Sequence, residues 1–119
     1  MFMEFTVEFY VSTSGQSPVR EFLLELKASD PGDFAAVAAG LEKLRHRQFH
    51  CEPLTKALND GLLELRHIGK LNTRVLWFFM KGRRIVAVHG IRNKGQAIPA
   101  RDLDTARARM RDWKERNEL

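Results

Sequence analysis

Three β-like runs separated by short turns, between residues 62 and 91, constrain the fold of this chain more than any other feature. The runs span residues 62–68, 73–80 and 84–91, and loops this short join antiparallel neighbours. The sequence therefore predicts a three-stranded meander. Its middle run is apolar on both faces between residues 75 and 80, which predicts a central strand covered on both sides.

The segments around the meander predict one further strand and three helices. Residues 2–11 alternate between apolar and polar side chains, the period of a half-buried strand. Two N-cap and proline pairs, at 17–18 and 30–31, begin two amphipathic helices that form a hairpin. The helical period returns after Pro99, whereas residues 48–61 have the composition of loop and turn. The predicted order is β-α-α-β-β-β-α, an α+β domain with an antiparallel sheet, an N-terminal helical hairpin and a C-terminal helix.

Length and charge limit the classes of protein to consider. A chain of 119 residues is long enough for one domain, which we place at 1–119. The net charge is +5 and the isoelectric point about 9.8, so the domain is a candidate for binding phosphate backbones. No stretch has the pattern of a signal peptide or a membrane span, and we expect a cytoplasmic protein. Cys51 is the single cysteine, and we expect it to be packed or incidental rather than a nucleophile.

Cationic side chains concentrate in the later half of the meander and in the loop after it. Neighbouring strands of a meander bring such segments together, so we predict one concave cationic patch with Lys70 at its rim. The predicted members of the patch are Arg66, Arg74, His89, Arg92 and Lys94.

Each member of this patch also has a purely structural interpretation. Arg66 shares a strand face with Glu64 and can form a solvated ion pair with it. Arg74 interrupts an apolar strand, so it lies either at an exposed strand start or where it binds a phosphate. His89 follows four apolar residues and can be a core histidine, and Lys94 lies in a loop where lysines are usually solvated.

The register between the first two strands of the meander decides whether Arg66 and Arg74 share a face. A two-residue turn at 70–71 pairs His67 with Arg74 and puts Arg66 on the other face. An odd-length loop or a bulge puts both arginines on the same face. The sequence leaves both registers open.

The last helix carries a second group of cations. Arg107, Arg111 and Lys114 share one side at helical spacing. This side is either a solvated face or a contact with a nucleic-acid backbone.

The common catalytic motifs are missing from the sequence, namely the Gly-x-Ser-x-Gly elbow, the Walker loop, the dinucleotide fingerprint and His-Glu-x-x-His. His46 and His50 have the spacing of helical metal ligands, but no further ligand is grouped with them, so we expect neither a metal nor another cofactor. A cationic site can still cleave RNA, because the 2′-hydroxyl beside the scissile phosphate is the nucleophile. The protein then supplies a base, cations for the charged phosphorus and an acid for the 5′-oxygen. Arginine, lysine and histidine suit the last two roles, and His89 and Glu64 are the candidates for the base.

Four segments of the chain resemble the HigB-like, phage-type toxins of the RelE/ParE superfamily. The family pattern runs approximately as leucine-x-glutamate-leucine-arginine, an arginine-led apolar strand, and His-Gly-Phe-x-Lys-Lys-x-x-x-x-Pro before the last helix. The matching segments are residues 61–66 (GLLELR), 73–78 (TRVLWF), 85–91 (IVAVHGI) and 94–99 (KGQAIP), with Ala106 after them. The predicted order of elements also matches that family.

This resemblance implies the toxin of a type II toxin–antitoxin system, an mRNA interferase that cuts the messenger in the ribosomal A site. Its partners would be the ribosome, the messenger and a small antitoxin, expected to be a helix-turn-helix protein that covers the basic cleft. Either a homodimer or a toxin–antitoxin heterotetramer is compatible with it. Carried over by position, Arg66 and Arg74 match the family's phosphate-handling arginines, and Lys94 matches the second lysine of its loop. Together with His89 from the cationic patch, they are the predicted catalytic residues. The predicted RNA-binding residues are Lys70, Arg92, Gln96, Arg107 and Arg111.

The chain departs from the family pattern in the loop after the meander. Ile91 stands in place of the phenylalanine and Asn93 in place of the first lysine, a loss for which Arg92 can compensate. Two other interpretations remain: a ParE-like toxin that poisons DNA gyrase, and a non-catalytic, phage-derived RNA-binding protein. The loop beginning at Lys94 and the His89–Gly90 junction favour the HigB-like interpretation.

Overall fold

The computed structural model describes residues 4–69, 71–95 and 97–117. They form an α+β fold in which helices cover both faces of a mixed, five-stranded sheet. None of the described helices is long and apolar enough to cross a membrane. The elements in chain order are β1 (Thr6–Phe9), α1 (Pro18–Ser29), α2 (Pro31–Lys43), β2 (Thr55–Ala57), β3 (Leu63–Ile68), β4 (Asn72–Met80), β5 (Arg84–Asn93) and α3 (Ala100–Asn117).

The helical hairpin predicted from the sequence is confirmed, and Asp30 separates its two helices. The Asp30 N–H donates to the carbonyl of Leu26 and closes α1. The Oδ1 atom of Asp30 accepts the backbone N–H of Asp33 at 3.1 Å and caps α2, in which Pro31 occupies the first turn. One residue thus ends one helix with its backbone N–H and begins the next with its side chain.

The strand order is β1-β5-β4-β3-β2, and the meander of β3, β4 and β5 is antiparallel as predicted. β4 is the central strand and is covered on both faces. Val75 and Trp77 pack in the core beneath α1 and α2, on what we call the hairpin face. Leu76 and Phe78 pack in a second core beneath α3, on what we call the α3 face.

The expectation of an antiparallel sheet is wrong for β1, which pairs in parallel with β5. The rule that neighbours are antiparallel applies to strands joined by short loops, whereas β1 and β5 are separated by most of the chain. β1 spans only Thr6–Phe9 and is therefore shorter than the strand that the alternation from residue 2 to residue 11 predicted. A further strand, β2, lies in the segment predicted as loop and pairs with the edge of β3.

The connection between β3 and β4 has an odd length, because Ile68 pairs with Asn72 and residues 69–71 join them. Arg66 therefore lies directly opposite Arg74, on the same face. Glu64 lies opposite Leu76, which packs under α3, so these charged residues all belong to the α3 face. Of the two registers compatible with the sequence, the one that unites the two arginines is present.

A β-bulge in β5 reverses which face its later residues occupy. Leu76 pairs with His89 and Trp77 with Ala87, so Val88 is the additional residue. If the same residues alternated regularly from Ala87 onward, His89 would lie on the hairpin face and Arg92 on the α3 face. The bulge exchanges them: His89 contacts α3, and Arg92 contacts the α1–α2 junction.

Candidate nucleic-acid interface

A cleft of about 350 Å³ lies between the β2–β3 edge of the sheet and one flank of α3. Lys56 and Glu64 are paired residues of neighbouring strands, so their side chains lie next to each other on the same face of the sheet, which forms the floor of the cleft. Arg107 approaches from α3, with its Nε 2.9 Å from Asp60 Oδ2. The cleft is lined by Lys56, Ala57, Leu58, Asn59, Glu64, Ala97, Ile98, Leu103 and Arg107.

One carboxylate organises the cations beside this cleft. Arg66 and Arg74 face each other across two strands, an arrangement that is destabilising for like charges. Glu64 offsets it, because its Oε1 accepts the Nε–H of Arg74 at 2.8 Å and lies 3.8 Å from Arg66 Nε. The Glu64 side chain is only 5% exposed, so this pairing occurs largely out of water.

Arg74 is buried rather than at an exposed strand start, with 1% of its side chain accessible. Its Nη1 donates to Asn93 Oδ1 at 3.2 Å, and its Nη2 lies 3.4 Å from the carbonyl oxygen of Gly95. Asn72 donates to the same carbonyl at 2.9 Å. Arg74 therefore ties Glu64 to the loop that carries Lys94, whose own side chain is exposed. Its geometry is that of a residue that positions the others.

The two flanks of α3 have different roles. On one flank, Asp112 accepts the hydroxyl hydrogen of Tyr10 at 2.6 Å, and Arg116 donates to the carbonyl of Val11. These bonds tie the helix to the end of β1. Burial and the neighbouring Asp112 carboxylate raise the pKa of Tyr10. The other flank carries Arg107 at the cleft, Arg111 in solvent and Lys114 over the ring of Phe78 at 5.4 Å.

His89 lies away from the cleft, on the Asp112 side of α3. Its Nε2 is 2.7 Å from Asp102 Oδ1, and its Nδ1 is 2.9 Å from Arg109 Nη1. A guanidinium only donates, so Nδ1 accepts and Nε2 carries the hydrogen given to Asp102. Burial lowers the pKa of Arg109, which also donates to the carbonyl of Val88, the bulge residue. Both ring nitrogens of His89 are thus engaged in attaching α3 to β5.

The structure does not place Arg92 in the cationic patch. Its Nη2 lies 2.7 Å from Asp30 Oδ2 and 2.9 Å from Asp33 Oδ2, on the hairpin face. The Oδ1 atom of Asp33 also lies 3.0 Å from His67 Nε2. The hydrogen bond from Arg92 makes the largest contribution to lowering the pKa of Asp33, and the one from His67 makes the second largest. Arg92 therefore joins β5 to the N-terminus of α2, a position from which it does not replace the missing loop lysine.

The family described as "Phage derived protein Gp49-like (DUF891)" matches residues 21–111, more than three quarters of the chain. The chain belongs to this family. Gp49-like proteins are a phage-derived family of RelE/HigB type, related to the toxins of toxin–antitoxin systems. The match runs from α1 into α3 and includes the cleft and both arginines of the meander. No curated protein shows significant similarity to the chain.

The remaining predicted residues of this Gp49-like chain are distributed as follows. Lys70 and Gln96 lie outside the described residues. Arg111 is exposed on α3, and Arg107 lines the cleft. The structure thus brings Arg66, Arg74 and the Lys94 loop together around Glu64, adds Arg107, and leaves His89 and Arg92 elsewhere. The chemical roles assigned to these residues from the sequence stay predictions.

Lys56 is the cleft residue that sequence reasoning missed. It lies in a three-residue edge strand within a segment predicted as loop. The sequence carries no signal for this strand, because Thr55 and Lys56 are both polar and show no alternation of apolar and polar residues.

The two histidines with metal-ligand spacing do not form part of a cluster. His46 Nε2 lies 3.7 Å from Glu4 Oε1. The His50 ring stands edge-on to Phe5, with centroids 4.7 Å apart. Among the described residues, no group of three or more His, Cys, Asp or Glu side chains is placed to hold a metal ion.

Proposed function

We propose that this chain is the HigB-like toxin of a type II toxin–antitoxin system and that it cleaves messenger RNA on the ribosome. The observation that carries the proposal is the cleft, which the buried Glu64 carboxylate lines together with Lys56 of β2 and Arg107 of α3. Arg66 of β3 lies beside it, with its Nε 3.8 Å from that carboxylate. Membership of the Gp49-like family supports the toxin class. The RNA would lie between β2 and α3, with its phosphates toward Lys56, Arg66 and Arg107.

The chemistry needs no nucleophile from the protein. The 2′-oxygen of the RNA attacks the adjacent phosphorus and loses its proton to a base. The bond to the 5′-oxygen then breaks, and that oxygen takes a proton from an acid. The products are a 2′,3′-cyclic phosphate and a 5′-hydroxyl. Correct alignment and positive charge near the phosphorus contribute most of the acceleration in such a site.

We assign the base to Glu64 rather than to His89. Glu64 lines the cleft, whereas His89 has both ring nitrogens occupied on the other side of α3. Arg74 holds Oε1 of the carboxylate and thereby fixes its orientation. Arg66 and Lys94 are the cations assigned to the phosphorane and the leaving oxygen. His89 has a positioning role, since it attaches the helix that forms the upper wall of the cleft.

The proposal is tested with purified protein and ribosomes programmed with a defined messenger. Wild-type protein should cut within the A-site codon and leave a 2′,3′-cyclic phosphate. Glu64→Gln should reduce the rate by about 10²-fold or more, the usual contribution of a general base. Glu115→Gln on the exposed surface of α3 is the matched control and should leave the rate unchanged. Intact messenger with the wild-type protein would contradict the proposal, and undiminished cutting by Glu64→Gln would remove Glu64 as the base.

A further inference from the structure

A second cavity, of about 510 Å³, lies at the edge of β3 beneath the turn that follows α2. We call it the β3-edge pocket. We propose that it binds an unstacked base of single-stranded RNA, next to the nucleotide held in the cleft. This inference rests on the proposed function, because it extends the RNA path beyond the cleft. Its volume is within the range of about 300–1,000 Å³ that is usual for small-molecule sites.

Part of the wall of the β3-edge pocket is apolar and includes an aromatic ring. Phe49, at the end of the short 3₁₀ turn Arg47–Phe49, is half-buried and lines the pocket with Pro53 and Leu54. Ile68 lines it from β3 and is 69% exposed, so its apolar surface is open to a ligand. A flat base that enters such a slot removes apolar surface from water and stacks on the ring.

The charge around the β3-edge pocket favours a nucleotide over an apolar peptide. Lys43 lines it with its Nζ 5.5 Å from the centre of the Phe49 ring. Arg66 and His67 line it from β3, and Glu52 is the carboxylate among its lining residues. Aromatic rings flanked by cations are the usual means of holding single-stranded RNA, because bases stack on the ring and phosphates meet the cations.

Arg66 connects the two cavities. It lines the β3-edge pocket, and its Nε lies 3.8 Å from the Glu64 carboxylate that lines the cleft. A phosphate bound to Arg66 therefore has one neighbouring nucleotide toward the cleft and the other toward the pocket. This continuity points to a polynucleotide rather than to a free small molecule.

The single cysteine of the chain reports on this pocket. Cys51 is exposed and lines the pocket, so its rate of alkylation by iodoacetamide measures access to it. The experiment uses the whole chain with and without a short single-stranded oligoribonucleotide, whose binding is followed separately by fluorescence anisotropy. At an RNA concentration of about ten times the dissociation constant, alkylation should slow roughly tenfold, by mass action. Duplex RNA, whose bases remain stacked, should give no such protection.

Variants show whether protection depends on the proposed contacts. We define the protection ratio as the alkylation rate of Cys51 without RNA divided by the rate with RNA. Phe49→Leu and Lys43→Ala should each lower this ratio toward one. Lys27→Ala is the matched control, because Lys27 lies over Phe34 at 5.6 Å in the same arrangement elsewhere on the surface. It should leave the protection ratio unchanged.

The outcomes separate this inference from the proposed function. RNA that binds while Cys51 stays fully reactive would overturn the pocket but leave the cleft in place. Protection that survives both Phe49→Leu and Lys43→Ala, or that duplex RNA provides equally, would overturn base stacking in the pocket. The absence of any RNA binding by the free protein would overturn the pocket, whereas the proposed function is decided separately by the cleavage assay with programmed ribosomes.

Discussion

Arg74 donates its Nε–H to Glu64 Oε1 at 2.8 Å, beneath the surface of the sheet and beside the cleft. The same guanidinium reaches Asn93 and the carbonyl of Gly95, at the two sides of Lys94. One buried ion pair thus couples the floor of the cleft to the loop at its end. The site consequently depends on Arg74 for its shape.

Arg74→Met should destabilise the protein by about 3–5 kcal/mol, because it leaves the buried Glu64 carboxylate without its principal partner. The double variant Arg74→Met/Glu64→Met should cost less than the single one, since it removes both charges together. Urea denaturation of the two variants measures the difference. A double variant that is less stable than Arg74→Met would show that Glu64 is stabilised mainly by other contacts.

Lys56→Ala should weaken binding of single-stranded RNA and reduce its dependence on salt. Each phosphate contact contributes about 0.7 to the slope of log K against log salt concentration for single strands, through counterion release. Anisotropy titrations at several salt concentrations measure this slope. Arg20→Ala, on the exposed side of α1, is the control and should leave the slope unchanged. Equal slopes for the wild type and Lys56→Ala would place the RNA elsewhere.

Asp33 should make the stability of the protein sensitive to acid. Its pKa is lowered in the folded state by hydrogen bonds from Arg92 and His67. A lowered pKa means that the stabilisation is complete above the unfolded value, about 4, and is lost as the pH falls through the folded value. Asp33→Asn should therefore cost about 1–3 kcal/mol near neutral pH, and the cost should decrease below about pH 4. Urea denaturation of both proteins from pH 7 to pH 3 tests this, and a cost that increased with acid would contradict it.

Gly90→Ala should be strongly destabilising, although it adds only one methyl group. A Cβ at Gly90 would lie 2.4 Å from the ring of Phe22, because α1 packs directly on β5 at this position. Overpacking of this kind costs about 1–3 kcal/mol. Phe22→Leu in the same chain should recover part of that loss, as measured by thermal or urea denaturation. This contact gives a structural reason for the His89–Gly90 junction, which the sequence alone linked to a family pattern.

The sequence was sufficient for those parts of the fold that local patterns determine. The capping residue Asp30, the helical hairpin and the two-sided central strand β4 all follow from periodicity and turn chemistry. The parallel pairing of β1 with β5 could not be predicted, because those strands share no short loop. The register of Arg66 and Arg74 depended on the length of one connection, for which the sequence allowed two values.

The candidate site was less predictable, because one inserted residue in β5 determines which side chains lie on each face of the sheet. The bulge at Val88 leaves no mark in a run of apolar residues, yet it moves His89 to the α3 face and Arg92 to the hairpin face. The partners Asp30, Asp33 and Asp102 are distant in sequence, so no spacing rule connects them to these side chains. Cations could be predicted from residue type, whereas their partners could not.

The most direct test of the proposed function is a map of messenger 5′ ends shortly after tightly controlled expression in a bacterium. The wild-type chain should arrest growth and produce new 5′ ends within translated codons. Glu64→Gln should reduce those ends in line with a cleavage rate about 10²-fold lower or more, while Glu115→Gln should retain them. Arrested growth with intact messengers and an induced DNA-damage response would contradict the account and identify a gyrase poison. No effect on growth or on messengers would contradict a toxin of either kind and favour a non-catalytic RNA-binding protein.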